Sequence, residues 1–178
     1  GGCRLMQLVH REWGGVERAF ALDFGLACDL EEACGKVGIG ALYVRLATHQ
    51  HFARDVYHTI RLGLVGGGMP RAEADRLVAL RFSEVGWALS VSVAVDLLSA
   101  MNEGIVPGPG GGDPATPMDM GKVLANFAQA GIGPDVVRAM RYADFINLMR
   151  SLGGKDVAPP TEEEFADMIR RHGEIHNG

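Results

Sequence analysis

Glycine divides this chain. Clusters at Gly14-Gly15, Gly35/Gly38/Gly40, Gly63/Gly66 to Gly68, Gly104 to Gly112, Gly131/Gly133 and Gly153-Gly154 fall between segments of regular apolar spacing, so any fold must be assembled from short elements. The 25 Gly among 178 residues are roughly twice the ordinary share. They lack the every-third spacing of collagen, and a hydrophobic fraction of 47% is too high for a disordered polar chain. The length allows one domain, or a larger domain with a smaller unit attached.

Before Gly14, Leu5 to Trp13 permits a strand. After Gly15, Val16, Phe20, Leu22 and Phe24 alternate with Glu17, Ala19, Ala21 and Asp23, a period of two that predicts a hairpin, with Arg18 as the one misfit on the apolar side. Everything beyond Gly25 has helical period. Leu26 to Cys34, a segment after Gly40, His51 to Leu64, Arg71 to Arg81 and Val85 to Met101 are predicted helices, the last apolar nearly all round and therefore central. Gly66 to Gly68 are expected to end the third of these with left-handed backbone. Gly63, Gly66, Gly67 and Gly68 are read as structural turn residues.

From Gly104 to Pro117, 9 of 14 residues are Gly or Pro, which marks a linker. The expected layout is a domain over 1–103, a linker over 104–117 and a helical extension over 118–178. Helices are predicted over Met120 to Ala130, Pro134 to Leu152 and Glu162 to His172, the last opened by a Thr161/Glu164 capping box. Tyr142, Phe145, Leu148 and Met149 form one apolar stripe, and Phe165, Met168 and Ile169 another. Both are candidate partner-binding residues, because so thin a tail needs either the first domain or another protein to cover it. The fold class is mainly α, with a small N-terminal β-hairpin and a helical bundle.

A balance of 17 basic to 22 acidic residues gives no reason to expect nucleic-acid binding. Val85 to Met101 is too short and too interrupted for a membrane span, and no leader segment is visible. Three cysteines, Cys3, Cys28 and Cys34, form no CxxC pair and read as free thiols of a cytoplasmic protein.

The most tempting chemistry is His49, His51, Asp55 and His58. On a helix beginning at His51, residues 51, 55 and 58 would share one face, where imidazole and carboxylate can hold a metal. The set lacks a fourth ligand at a familiar spacing, and a polar helix face is the preferred reading. Gly38-Ile39-Gly40 and Gly66 to Gly68 lack the further residues of nucleotide-binding loops. Glu31 and Glu32 read as first-turn or surface acids. No nucleophile sits in a G-x-S-x-G setting, and neither Cys28 nor Cys34 has a histidine at fixed local spacing. The residues describe a non-enzymatic module with no cofactor.

The order EWGGVERAFAL (12–22), LEEACG (30–35), DVYHTIRLGLVGGGM (55–69), EADRLV (73–78) and AVDLLSAM (94–101) resembles the gene-transfer-agent type of phage tail assembly chaperone, a family also described as a tail tube protein. MRYADFINLMRSLGG (140–154) is similar to the short downstream chaperone segment. It carries Tyr142-Ala143-Asp144-Phe145 where that segment usually reads Thr-Pro-x-Glu-Phe. The resemblance implies a cytoplasmic assembly factor, absent from the finished virion, that binds the tape-measure protein, recruits tail tube subunits and forms homo-oligomers. The alternative is a structural tail tube or tail-associated virion protein.

Overall fold

The computed structural model describes residues 7–106 and 115–151. Expectations for Cys3, for the Thr161/Glu164 capping box and for Phe165, Met168 and Ile169 lie outside the described residues.

The chain opens with β1 (Val9–Trp13) and β2 (Val16–Phe20), antiparallel, with Trp13 opposite Val16 and Val9 opposite Phe20. The connection is Gly14-Gly15, with φ of +69° and +79°, the pairing of left-handed residues that matches strand twist in a two-residue hairpin. Trp13 and Phe20 are fully buried, and the Trp13 indole donates to Ser90 Oγ at 3.0 Å. Arg18, the apparent misfit, donates from Nε to the Trp13 carbonyl at 3.0 Å. Arg11, directly across from it, pairs with Asp96 and donates to Ser92 Oγ. Two opposed arginines are thus each supplied with an acceptor.

Eight helices follow among the described residues: α1 (Phe24–Ala33), α2 (Ile39–Ala47), α3 (Ala53–Gly66), α4 (Arg71–Arg81), α5 (Trp87–Asn102), α6 (Met120–Gln129), α7 (Pro134–Arg138) and α8 (Tyr142–Ser151). The expected mainly helical architecture with one hairpin is observed. The alternation through Phe24 overran the strand, because Asp23 caps a helix: its Oδ1 accepts the Leu26 N–H at 2.7 Å, and Phe24 turns inward as the first residue of α1. In the centre, α5 packs on α2, α3, β1 and α8.

The α3 terminus meets β2 backbone to backbone. Gly63 O accepts the Ala21 N–H at 3.0 Å, and a Cβ on Gly66 or Gly67 would lie 1.9 Å from the carbonyl oxygen of Ala21 or Ala19 respectively. Left-handed geometry is confined to Gly68, at φ +104°. Gly66 and Gly67 serve close approach instead.

The described part of the C-terminal segment lies against the first. Phe145 of α8 stacks on Phe24 of α1, centroids 3.7 Å apart, and Phe127 of α6 lies 5.5 Å beyond. The predicted helix Pro134 to Leu152 is broken into α7 and α8. At the break the Met140 carbonyl accepts the Phe24 N–H at 2.8 Å and Arg141 bridges to Asp23, bonds that an unbroken helix would forbid. Arg138 adds a 3.0 Å bond to Asp29.

Glu31 is a correction. It is neither a first-turn nor a surface acid but a buried carboxylate in the last turn of α1. Its Oε1 accepts the Ile39 N–H and its Oε2 the Met118 N–H, both at 2.9 Å. Gly38, the N-cap of α2, has no side chain to do this work, so Glu31 caps α2 from eight residues away and ties residue 118 to the same point. Burial pushes the Glu31 carboxyl above its ordinary 4.5, against the pull of the two N–H donors. Between 4.5 and that raised value the folded chain holds a proton the unfolded chain has released. This group's contribution to stability is therefore greatest at and below 4.5 and declines as the pH rises through the raised value. Glu31→Gln, able to accept only one of the two bonds, is expected to cost about 1–3 kcal/mol. Denaturant unfolding should show its deficit against the native chain widening as the pH falls from neutral toward 4.5.

Candidate functional site

Four of the helices end by closing two reverse hydrogen bonds over the last turn. At α1, α3 and α6 the residue after the cap is Gly35, Gly68 and Gly131, each with positive φ. At α2 the same pattern is made by His49: Gln50 N–H bonds Arg45 O at 2.8 Å, His49 N–H bonds Leu46 O, and His49 takes φ +58°. This non-glycine left-handed residue turns the chain toward His51 and Phe52.

The turn assembles a strip of rings. His49 lies 6.2 Å from His51, His51 lies 5.5 Å from Trp87, Trp87 lies 6.0 Å from Phe82, Phe82 lies 5.1 Å from Tyr57, and Tyr57 lies 5.2 Å from His58, all as centroid distances. They come from the α2–α3 loop, from α3 and from the α4–α5 junction. Trp87 is 48% exposed and Phe52 56%. Phe52 stands between the guanidinium groups of Arg45 and Arg54, at 5.5 and 5.3 Å from its ring. Phe82 and Tyr57 are half-buried against the core, while the exposed Trp87 and Phe52, with the two guanidinium groups beside Phe52, make a surface suited to an apolar partner helix.

The four residues considered as metal ligands are placed differently. His51 precedes α3, which starts at Ala53, so His51, Asp55 and His58 do not share a helical face. Asp55 is wholly buried, and its Oδ2 accepts the Phe52 N–H at 2.9 Å, closing the start of α3. His58 accepts a bond from Arg61 Nε at Nδ1, 3.3 Å away. Burial, then the Arg61 charge, lower its pKa, so the imidazole stays neutral as that bond requires. Among the described residues, no group of three or more His, Cys, Asp or Glu is placed to hold a metal ion. Burial, then the neighbouring carboxylate of Glu31 or Asp55, pushes the Cys28 and Cys34 thiols up to about 12, which leaves no thiolate for chemistry at neutral pH.

Gly63, Gly66 and Gly67 form the contact with β2, away from the strip. Of the C-terminal candidates, Tyr142, Phe145 and Met149 are buried in the core shared with α1 and α5, and Leu148 packs half-buried at its margin. Trp87, Phe82 and Tyr57 escaped sequence reasoning. Trp87 fell inside an apolar run taken as core throughout, although the polar Ser83-Glu84 and Gly86 ahead of it mark a surface junction. A left-handed non-glycine residue costs about 1–2 kcal/mol. His49→Gly is therefore expected to raise the unfolding free energy by about 1 kcal/mol in a denaturant titration, while removing one ring of the strip.

No helix among the described residues is long and apolar enough to cross a membrane. No curated protein matches the chain, and no solved structure does. Residues 8–104, from β1 to the end of α5 and including the whole strip, match the family described as phage tail tube protein, GTA-gp10. That match spans just over half of the chain, which therefore belongs to this phage tail family.

Proposed function

We propose that the protein is a non-enzymatic tail assembly chaperone that holds the tape-measure protein and recruits tail tube subunits around it. The observation that carries this reading is the partly exposed aromatic strip, with Trp87 and Phe52 at the surface, within the segment shared with the family. A tape-measure chain is long and helical, and before enclosure it exposes apolar residues at i, i+3, i+4 and i+7. A row of rings in mutual contact with the half-exposed Trp87 at its middle, and beside His51 in the chain the exposed Phe52 carrying Arg45 and Arg54 on its ring, offers a matching track. Each contact is weak alone and is strengthened when many copies occupy one client. The protein then acts in the host cytoplasm and is left out of the mature particle.

The second reading is a structural tail tube or tail-associated virion protein, in line with the family's description. Tube proteins are built largely of strands. The described residues hold one hairpin and eight helices, which favours the assembly role.

Coexpression with the tape-measure and tube proteins encoded alongside it tests the choice. Phe52→Ala combined with Trp87→Ala is expected to weaken capture of tape-measure fragments by about 30-fold or more, the loss of two aromatic anchors, with little change in melting temperature. Removal of residues 152–178 is expected to leave tape-measure capture intact and to abolish tube recruitment. Undiminished capture by the double variant, or stoichiometric recovery of the protein in purified particles, would contradict the chaperone reading.

A further inference from the structure

The two long edges of the hairpin differ. On the β2 side, α3 covers the edge: Ala21 N–H bonds Gly63 O, and the carbonyls of Ala19 and Ala21 abut Gly67 and Gly66. On the β1 side nothing among the described residues covers it. In an antiparallel hairpin with a two-residue turn, the pair flanking the turn exchanges hydrogen bonds and the pairs alternate from there. Val9, Arg11 and Trp13 therefore bond to β2, and the main-chain N–H and C=O groups of His10 and Glu12 point outward. Among the described residues neither main chain has a partner outside the ladder, and both side chains are exposed. Such a row of unpaired donors and acceptors is a template for another strand.

Charges on an edge normally discourage pairing. Here the outward side chains are self-complementary, since the His10 imidazole can donate a hydrogen bond to the Glu12 carboxylate. We propose that β1 pairs with β1 of a second copy, antiparallel about a two-fold axis through Arg11, to form a continuous four-stranded sheet. In this register His10 of each copy faces Glu12 of the other, and each such pair exchanges two main-chain hydrogen bonds. Sliding the copies by two residues either way would set Glu12 against Glu12 or His10 against His10, so the side chains select the middle register. Arg11 then faces its own counterpart. The hairpin already places Arg11 opposite Arg18, and the pairing of Arg11 with Asp96 of α5 neutralises it in each copy. A five-residue edge buries little surface, so the dimer is reversible and is favoured where copies are concentrated along a shared client.

Sedimentation velocity on the full chain over a concentration series tests this. A reversible monomer–dimer equilibrium is expected. His10→Glu, which opposes Glu to Glu at both pairs, should raise its dissociation constant about tenfold. The charge swap His10→Glu with Glu12→His restores both pairs and should return the constant to near the native value. Both positions are exposed and their main-chain groups point away from β2, so both variants keep the ladder bonds of the hairpin; within it His10 faces Ala19 and Glu12 faces Glu17, a like-charge pair that the swap removes. In a Cys3→Ser background, Arg11→Cys should form a disulfide-linked dimer on mild oxidation, since opposed non-hydrogen-bonded residues have Cα atoms about 4.5 Å apart, within disulfide reach. A chain that stays monomeric up to about 200 µM, in the range of a weak small interface, overturns the proposal. So does a charge swap that fails to restore what His10→Glu loses, or a dimer that Arg11→Cys cannot trap.

Discussion

Everything in this fold depends on how closely α3 approaches β2. Gly63, Gly66 and Gly67 remove three side chains from one face of the helix, and the strand backbone takes their place, with Gly63 O receiving the Ala21 N–H and Leu97 and Phe20 filling the space over Gly63. A methyl group at either Gly66 or Gly67 would collide with a main-chain carbonyl, which cannot rotate aside as a side chain would. The hairpin is thereby fixed to the bundle, and Trp13 and Phe20 are held over α5. The direction of α3 is set too, and with it the positions of Tyr57 and His58 at its outer end. Glu31 performs a comparable task on the opposite side, joining α1, the start of α2 and residue 118 through one buried carboxylate.

Much of this was legible in the residues. The glycine clusters divide the chain where the helices in fact divide, because Gly35, Gly68 and Gly131 each supply the left-handed residue of a helix C-terminus. The end of α2 was harder to see, since His49 does the same work without the usual residue. The hairpin and the helix Arg71–Arg81 follow directly from period and punctuation. What did not follow required tertiary contacts. The break between α7 and α8 has no Gly or Pro to announce it and exists because Phe24 and Asp23 bond across it. The two N–H donors that satisfy buried Glu31 belong to Ile39 and Met118, eight and 87 residues away in sequence.

The candidate site shows the same boundary between local and long-range information. His49, His51 and His58 stood out with Asp55 because residues 51, 55 and 58 at i, i+4 and i+7 would share a helical face able to hold a metal. Their grouping is real but its chemistry is aromatic, because Trp87 and Phe82 arrive from the α4–α5 junction, 24 to 38 residues later. Asp55, the carboxylate that would have completed a metal set, faces inward and closes the start of α3. The apolar stripe of α8 similarly has its partners within the chain, as Phe145 stacks on Phe24. The exposed aromatic rings of Phe52 and Trp87 lie inside the part of the chain that carries the family match.

Capture of a helical client by that strip is the central proposal, and the protein contains its own paired reporter for it. Of its two tryptophans, Trp87 is half exposed on the strip, while Trp13 is fully buried with its indole bonded to Ser90. Nitrogen-15 labelled protein should give two indole N–H resonances, followed as a tape-measure fragment is added. The proposal predicts a progressive, saturable shift of the Trp87 resonance with that of Trp13 unmoved. Saturable binding that leaves the Trp87 resonance in place would contradict it.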